Sequence, residues 1–95
     1  MSVDEVLRVV DQIIPLLTTY GHPDEAEWLR KESALLRDSK LSHTEIGASL
    51  GRLHRIVPGM GGLMDLPMIG SSREQETLAR EALDKLGERL YELTR

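Results

Sequence analysis

His54 and Asp65 are the two residues of this sequence whose types and spacing best fit chemistry at a site. His54 lies three residues after Gly51 and seven after Gly47, so the three residues share one face if this stretch is helical. That helix would lead directly into a glycine-rich segment containing Asp65, which would bring the two side chains close together. An imidazole beside a carboxylate can act as an acid-base couple or form an ordinary structural hydrogen bond, and we favour the structural hydrogen bond.

The three histidines, His22, His43 and His54, do not predict a metal site. A zinc site on one helix places two ligands four residues apart, and no two of these histidines have that spacing. The sequence has no cysteine, which excludes thiolate ligands and a cysteine nucleophile. Ser49, His54 and Asp65 have the residue types of a catalytic triad, but no nucleophile elbow surrounds the serine. We therefore predict no catalytic residue, no metal and no cofactor, and we keep His54 and Asp65 as candidate ligand-binding residues.

Residues 58–70 form the segment with the most unusual composition, Pro-Gly-Met-Gly-Gly-Leu-Met-Asp-Leu-Pro-Met-Ile-Gly. Glycine costs a helix about 1 kcal/mol and proline about 3 kcal/mol relative to alanine, so the segment is predicted to be a loop. A phosphate-binding loop is not supported, because no Lys-Ser or Lys-Thr pair follows the glycines. Two interpretations of the apolar residues are open: they close the end of the helical core, or they form an adaptable surface for a protein partner. The candidate partner-binding residues are Met60, Leu63, Met64, Leu66 and Met68.

Apolar residues recur at helical spacing through most of the remaining sequence. The predicted helices cover about 3–19, 23–38, 43–57 and 73–94, with an ordered loop over 58–72. These elements predict an all-α fold, a four-helix bundle-like single domain over residues 1–95. The glycine- and methionine-rich segment is then the long connection between the third and fourth helices, and long connections in compact domains are usually functional.

Local signals place the ends of these helices and their exposed faces. Gly21 is expected to end the first helix in the left-handed conformation. Ser42 and Glu45 have the spacing of a capping box at the start of the third helix. Gly47 and Gly51, four residues apart, are expected to let another helix approach the third one closely.

The apolar stripes also predict buried side chains. Leu35 is assigned to the buried side of the second helix and Leu78 to that of the fourth. Pro15 falls on the polar face of the first helix, where the lost hydrogen bond is expected to bend the helix without breaking it.

Composition excludes several classes of partner. The formal net charge is -4, with acidic and basic residues mixed along the chain, so no basic patch is predicted to bind nucleic acid. No run of about 20 apolar residues is present, so no membrane span is predicted. The absence of cysteine fits the reducing cytoplasm, which is the expected location.

Between residues 20 and 66 the sequence carries a recognisable motif, in which a Trp-Leu helix is followed by a Gly-Met-Gly-x-x-x-Asp-Leu loop. The matching residues are Tyr20, Gly21, Ala26, Trp28, Leu29, Leu53, Gly59, Met60, Gly61, Asp65 and Leu66. This half of the chain resembles a family of small uncharacterised bacterial helical domains, classed as a domain of unknown function. That family has Ser-Phe-Asn where this sequence has Gly62, Leu63 and Met64. The resemblance implies a small bacterial helical protein with no assigned activity.

The function predicted from these observations is that of a non-enzymatic module that binds a protein partner or a second copy of itself through the segment around Met60. An alternative is a small-ligand or metal site, conceivably catalytic, between the third helix and the glycine-rich loop. A further alternative is an immunity or antitoxin-like inhibitor, which small size and acidity also fit.

Overall fold

The computed structural model describes residues 3–58 and 62–95, and in these ranges the chain forms four α-helices and no strand. The helices are α1 (Val3–Thr19), α2 (Pro23–Arg37), α3 (His43–Ile56) and α4 (Arg73–Leu93), and a short 3-10 turn occupies Leu63–Asp65. The predicted all-α, four-helix bundle-like fold is therefore confirmed. Each helix begins at its predicted residue and ends within one residue of the predicted end. None of the helices in the described ranges is long and apolar enough to cross a membrane.

Helix α1 lies at the centre of the packing, between α2 and α4, while α3 packs against α2 and α4. Helices α1 and α4 run antiparallel. Glu5 near the start of α1 forms an ion pair of 2.9 Å with Arg89 near the end of α4. At the other end, the Tyr20 ring after α1 lies against the backbone of Gly70 just before α4. The core side chains that are fully buried include Val6, Val10, Ile13, Leu17, Leu29, Leu53, Leu63, Leu83 and Leu90.

The local signals at the helix ends act as predicted. Gly21 adopts a φ of 98°, the left-handed conformation that suits glycine after a helix. The Ser42 hydroxyl accepts a hydrogen bond from the Glu45 amide at 3.1 Å, which satisfies one of the free amides at the start of α3. Pro15 is exposed and α1 continues through it to Thr19.

The prediction for the glycines of α3 is wrong. A Cβ added at Gly47 or Gly51 would meet nothing within 4 Å, so no helix approaches that face. The cause is the rotation of α3, which turns its apolar stripe around Leu53 toward the core and leaves the glycines outside it. The close approach occurs on α4 instead, where the Met64 side chain lies directly over the backbone of Gly87.

Two leucines assigned to buried sides are also exposed. Leu35 is 43 % exposed and Leu78 is 60 % exposed. In α2 the buried positions between Leu29 and Leu36 are taken by Glu32 and a neighbouring serine. The core there is partly polar, which the apolar pattern did not predict.

Candidate functional site

The glycine-rich segment divides into a buried part and an exposed part. Leu63 and Met68 are 1 % and 6 % exposed and belong to the protein's own core, so in this structure they are not open to a partner. Met64 and Leu66 are half-buried and pack against that core. Met60, the fifth candidate, lies outside the described residues. The segment therefore runs along the side of α4, from Gly87 back to Glu76, and adds two side chains to the core. The burial expected by the first of the two interpretations is present, but the segment lies beside the bundle and not across its end.

Polar contacts hold the segment in place from two sides. The His22 ring, in the turn between α1 and α2, donates from Nε2 to the carbonyl oxygen of Pro67 at 2.5 Å. On the other side, the Arg80 guanidinium of α4 donates to the carbonyl oxygen of Leu66 at 2.6 Å. The bond from Arg80 is charge-assisted and therefore stronger than a neutral one, and the two contacts together hold the backbone at Leu66 and Pro67.

His54 forms a structural hydrogen bond, with a partner that the sequence did not suggest. Its Nδ1 lies 3.0 Å from the Thr94 hydroxyl, which in turn donates to the Leu90 carbonyl oxygen at 2.7 Å. Because the hydroxyl has one proton, His54 Nδ1 must be the donor. The imidazole also stacks on Tyr91, with ring centroids 4.0 Å apart. Asp65 is exposed in the 3-10 turn, and a ligand site shared by His54 and Asp65 stays a prediction.

The most buried polar cluster joins α2 to α3 and was missed from the sequence. Glu32 is 6 % exposed and accepts hydrogen bonds from the fully buried Ser49 hydroxyl at 2.7 Å and from Arg52 at 2.7 and 3.1 Å. Burial raises the pKa of Glu32, but the hydrogen bonds from Arg52 and Ser49 and the charge of Arg52 outweigh it and lower this pKa below its usual range. The same pairing raises the pKa of Arg52. The sequence signal was the break that Glu32 makes in the apolar stripe of α2.

This cluster is a structural link rather than an open reaction centre. Both carboxylate oxygens of Glu32 are engaged, one by Arg52 and the other by Arg52 and Ser49. A carboxylate in this state accepts a proton less readily than a free one, which makes it a poor general base near neutral pH.

An open groove lies between α1 and α4. It has a volume of about 570 Å³ and a mostly apolar wall that also includes polar side chains. Two exposed apolar residues, Leu78 and Ile69, lie toward the end of the groove where Tyr20 stands. The residues lining the groove are Asp11, Gln12, Pro15, Leu16, Thr19, Tyr20, Ala82 and Leu86.

Ile69 connects the glycine-rich segment to this groove. Its amide donates to the carbonyl oxygen of Tyr20 at 3.0 Å, and its side chain lies against Gly21, yet 58 % of Ile69 is exposed. Leu78 stands one helical turn before Ala82, a residue of the groove wall. We call the groove together with Leu78 and Ile69 the α1–α4 groove.

The described residues contain no group of three or more histidine, aspartate or glutamate side chains arranged to hold a metal ion. No family model, no curated protein and no solved structure matches this chain. The resemblance of residues 20–66 to a family of bacterial helical domains therefore stays a hypothesis.

Proposed function

We propose that this protein is a non-enzymatic interaction module that binds a helix of a protein partner in the α1–α4 groove. The observation that carries the proposal is the pair of large apolar residues, Leu78 and Ile69, exposed beside an apolar groove. Exposed large apolar side chains close to an apolar groove are a feature of contact sites on small proteins. The contact surface differs from the one predicted from the sequence, because Leu63 and Met68 are used in the core.

The shape and composition of the groove support a helical partner. From Asp11 to Tyr20, just after the end of α1, the groove follows ten residues of chain, and the nine steps between them span about 14 Å at helical rise, which matches between two and three turns of a docking helix. Its mostly apolar lining also includes Asp11 and Gln12, and a mixture of apolar and polar side chains is typical of a protein interface. Such grooves bind the apolar face of an amphipathic helix.

The partner is either a second copy of this chain or a different protein. If the partner is a toxin or an enzyme, the same contact makes the protein an immunity or antitoxin-like inhibitor. The proposal places the protein in the cytoplasm, on the expectation from its cysteine-free composition.

The test replaces one exposed leucine of the groove and one exposed leucine elsewhere. Leu78→Lys puts a charge beside the groove, and Leu35→Lys makes the same change on α2. Lysine and leucine have similar helix propensities, so both variants should fold as the wild type does. Self-association is measured by sedimentation equilibrium. A partner other than this chain is captured from cell lysate, identified and purified. Its affinity for the wild type and for each variant is then measured by calorimetry.

We expect Leu78→Lys to weaken the association about tenfold or more, which is about 1.4 kcal/mol, because the change removes an apolar contact from the interface and puts an unpaired charge in its place. Leu35→Lys should bind as the wild type does. Equal affinity of the wild type and Leu78→Lys for every partner found would contradict the proposal. So would a wild type that neither self-associates nor retains a protein partner from the lysate.

A further inference from the structure

The fourth helix carries an apolar stripe on the side that borders the α1–α4 groove. Leu78, Ala82 and Leu86 are four residues apart, so their side chains follow one another along the same face of α4. Leu78 is 60 % exposed, and Ala82 and Leu86 are half-buried in the wall of the groove. The smallest of the three, Ala82, stands in the middle of the stripe. Helix α4 therefore has the features of a docking helix as well as those of a groove wall.

Two residues of opposite charge flank the stripe on one side. Glu81 precedes Ala82 by one residue, and Lys85 follows it by three. Both side chains are exposed. In the part of the chain that the structure describes neither of them forms an ion pair, although their spacing of four residues would allow them to pair with each other. Both charges are therefore available to a partner that docks along the stripe.

These residues face suitable partners when a second α4 runs antiparallel to the first. In an antiparallel pair related by a two-fold axis, the same side of each helix faces the same side of the other, and residues before the crossing point face residues after it. With the crossing point at Ala82, Leu78 faces Leu86 of the second copy, since each lies four residues from that point. Glu81 and Lys85 of the second copy are then offset by two residues, which is about 3 Å along the helix axis and within the reach of both side chains.

We propose that the occupant of the α1–α4 groove is α4 of a second copy of this chain, lying antiparallel to α4 with the two Ala82 residues at the two-fold axis. Each α4 then serves as the ligand of one groove and as a wall of the other. The dimer contains two ion pairs between Glu81 of one copy and Lys85 of the other. This pairing rests on the function proposed for the groove, to which it adds the identity and the direction of the bound helix.

Sedimentation equilibrium of the full chain tests for the dimer at up to about 1 mM protein, a range that includes the weak dimers expected of a small interface. Glu81→Lys and Lys85→Glu should each weaken the dimer at least about fourfold, because each replaces two ion pairs by two like-charge contacts. The double variant, Glu81→Lys with Lys85→Glu, should associate as the wild type does. The two single variants change the net charge in opposite directions, so general repulsion between acidic copies would weaken only one of them.

Disulfide formation tests the direction of the pair, because the chain contains no natural cysteine. Ala82→Cys should form a covalent dimer in a glutathione redox buffer much faster than Leu35→Cys, which places the same thiol at an exposed position of α2. The reason is that a disulfide needs the two Cα atoms within about 7 Å of each other, which the crossing at Ala82 provides.

A wild type that stays monomeric at about 1 mM overturns this pairing, and the function proposed for the groove is retained if Leu78→Lys weakens the binding of a different protein. Failure of both self-association and capture from lysate overturns the two together. The pairing is also overturned by a dimer that neither charge reversal weakens, or by a double variant that does not recover the association. The same holds if Ala82→Cys crosslinks no faster than Leu35→Cys.

Discussion

Replacement of Leu63 by alanine tests whether the glycine-rich segment belongs to the core. Leu63 begins the 3-10 turn, is 1 % exposed and is one of the fully buried large side chains. Replacing such a leucine by alanine removes apolar contacts and leaves a cavity, which costs about 2 to 5 kcal/mol. A small domain has a total stability of about 5 to 15 kcal/mol, so the change removes a large share of it.

The loss of stability in Leu63→Ala also lowers the melting temperature. In a domain of this length 1 kcal/mol shifts Tm by about 4 to 8 °C, so a loss of about 3 kcal/mol lowers it by about 12 to 24 °C. The assay is urea unfolding followed by circular dichroism. The urea concentration at the midpoint should fall, while the slope of the unfolding free energy against urea concentration should stay the same. Ile69→Ala is the control, since Ile69 belongs to the same segment but is 58 % exposed.

Ile69→Ala should change the free energy of unfolding by no more than about 0.5 kcal/mol. A loss below about 1 kcal/mol for Leu63→Ala, or equal losses for the two variants, would refute the assignment of Leu63 to the core. The segment would then lie on the surface, and the partner-binding residues predicted from the sequence, Met60, Leu63, Met64, Leu66 and Met68, would again be candidates.

Three further changes test the helix contacts. The pKa of Glu32 is lower in the folded protein than in the unfolded chain, so its ionised form stabilises the fold above about pH 4.3 and this contribution is lost as the pH falls below that value. Glu32→Gln should therefore be less stable than the wild type near neutral pH, with a smaller difference in acid, and a difference that does not vary with pH in urea titrations would contradict this. Gly47→Ala should raise the stability by about 1 kcal/mol in thermal unfolding, because the added methyl group meets open space, and a lower Tm would show that the face is covered. Gly87→Ala should stabilise the protein less than Gly47→Ala does in thermal unfolding, because its methyl group collides with the Met64 side chain and this strain offsets the gain in helix propensity, and in a Met64→Ala background the Gly87→Ala change should become more favourable.

The helices and their ends could be predicted from the sequence because the signals for them are local. The Ser42 hydroxyl and the amide that it caps are three residues apart, and Gly21 ends α1 by its own backbone conformation. The apolar stripes also indicated that each helix has a buried face, since a helix repeats its face every 3.6 residues, but Leu35 and Leu78 show that the edge of each face was not predicted. The all-α fold follows from these signals alone.

The partners of the functional side chains were decided by the tertiary structure. His54 binds Thr94, 40 residues further along the chain, and Arg52 binds Glu32, 20 residues back. No local pattern encodes such pairs, because they depend on how far each helix is rotated about its axis. The contact of Met64 with Gly87 of α4 could not be predicted from the sequence for the same reason.

The sequence by itself determined four helices and an irregular segment rich in large apolar side chains. Only the packing of α1 and α4 around that segment decided that Leu63 and Met68 point inward while Ile69 points outward. An irregular segment has no repeating face, so the direction of each of its side chains depends on the surrounding helices and on the hydrogen bonds that hold its backbone between them.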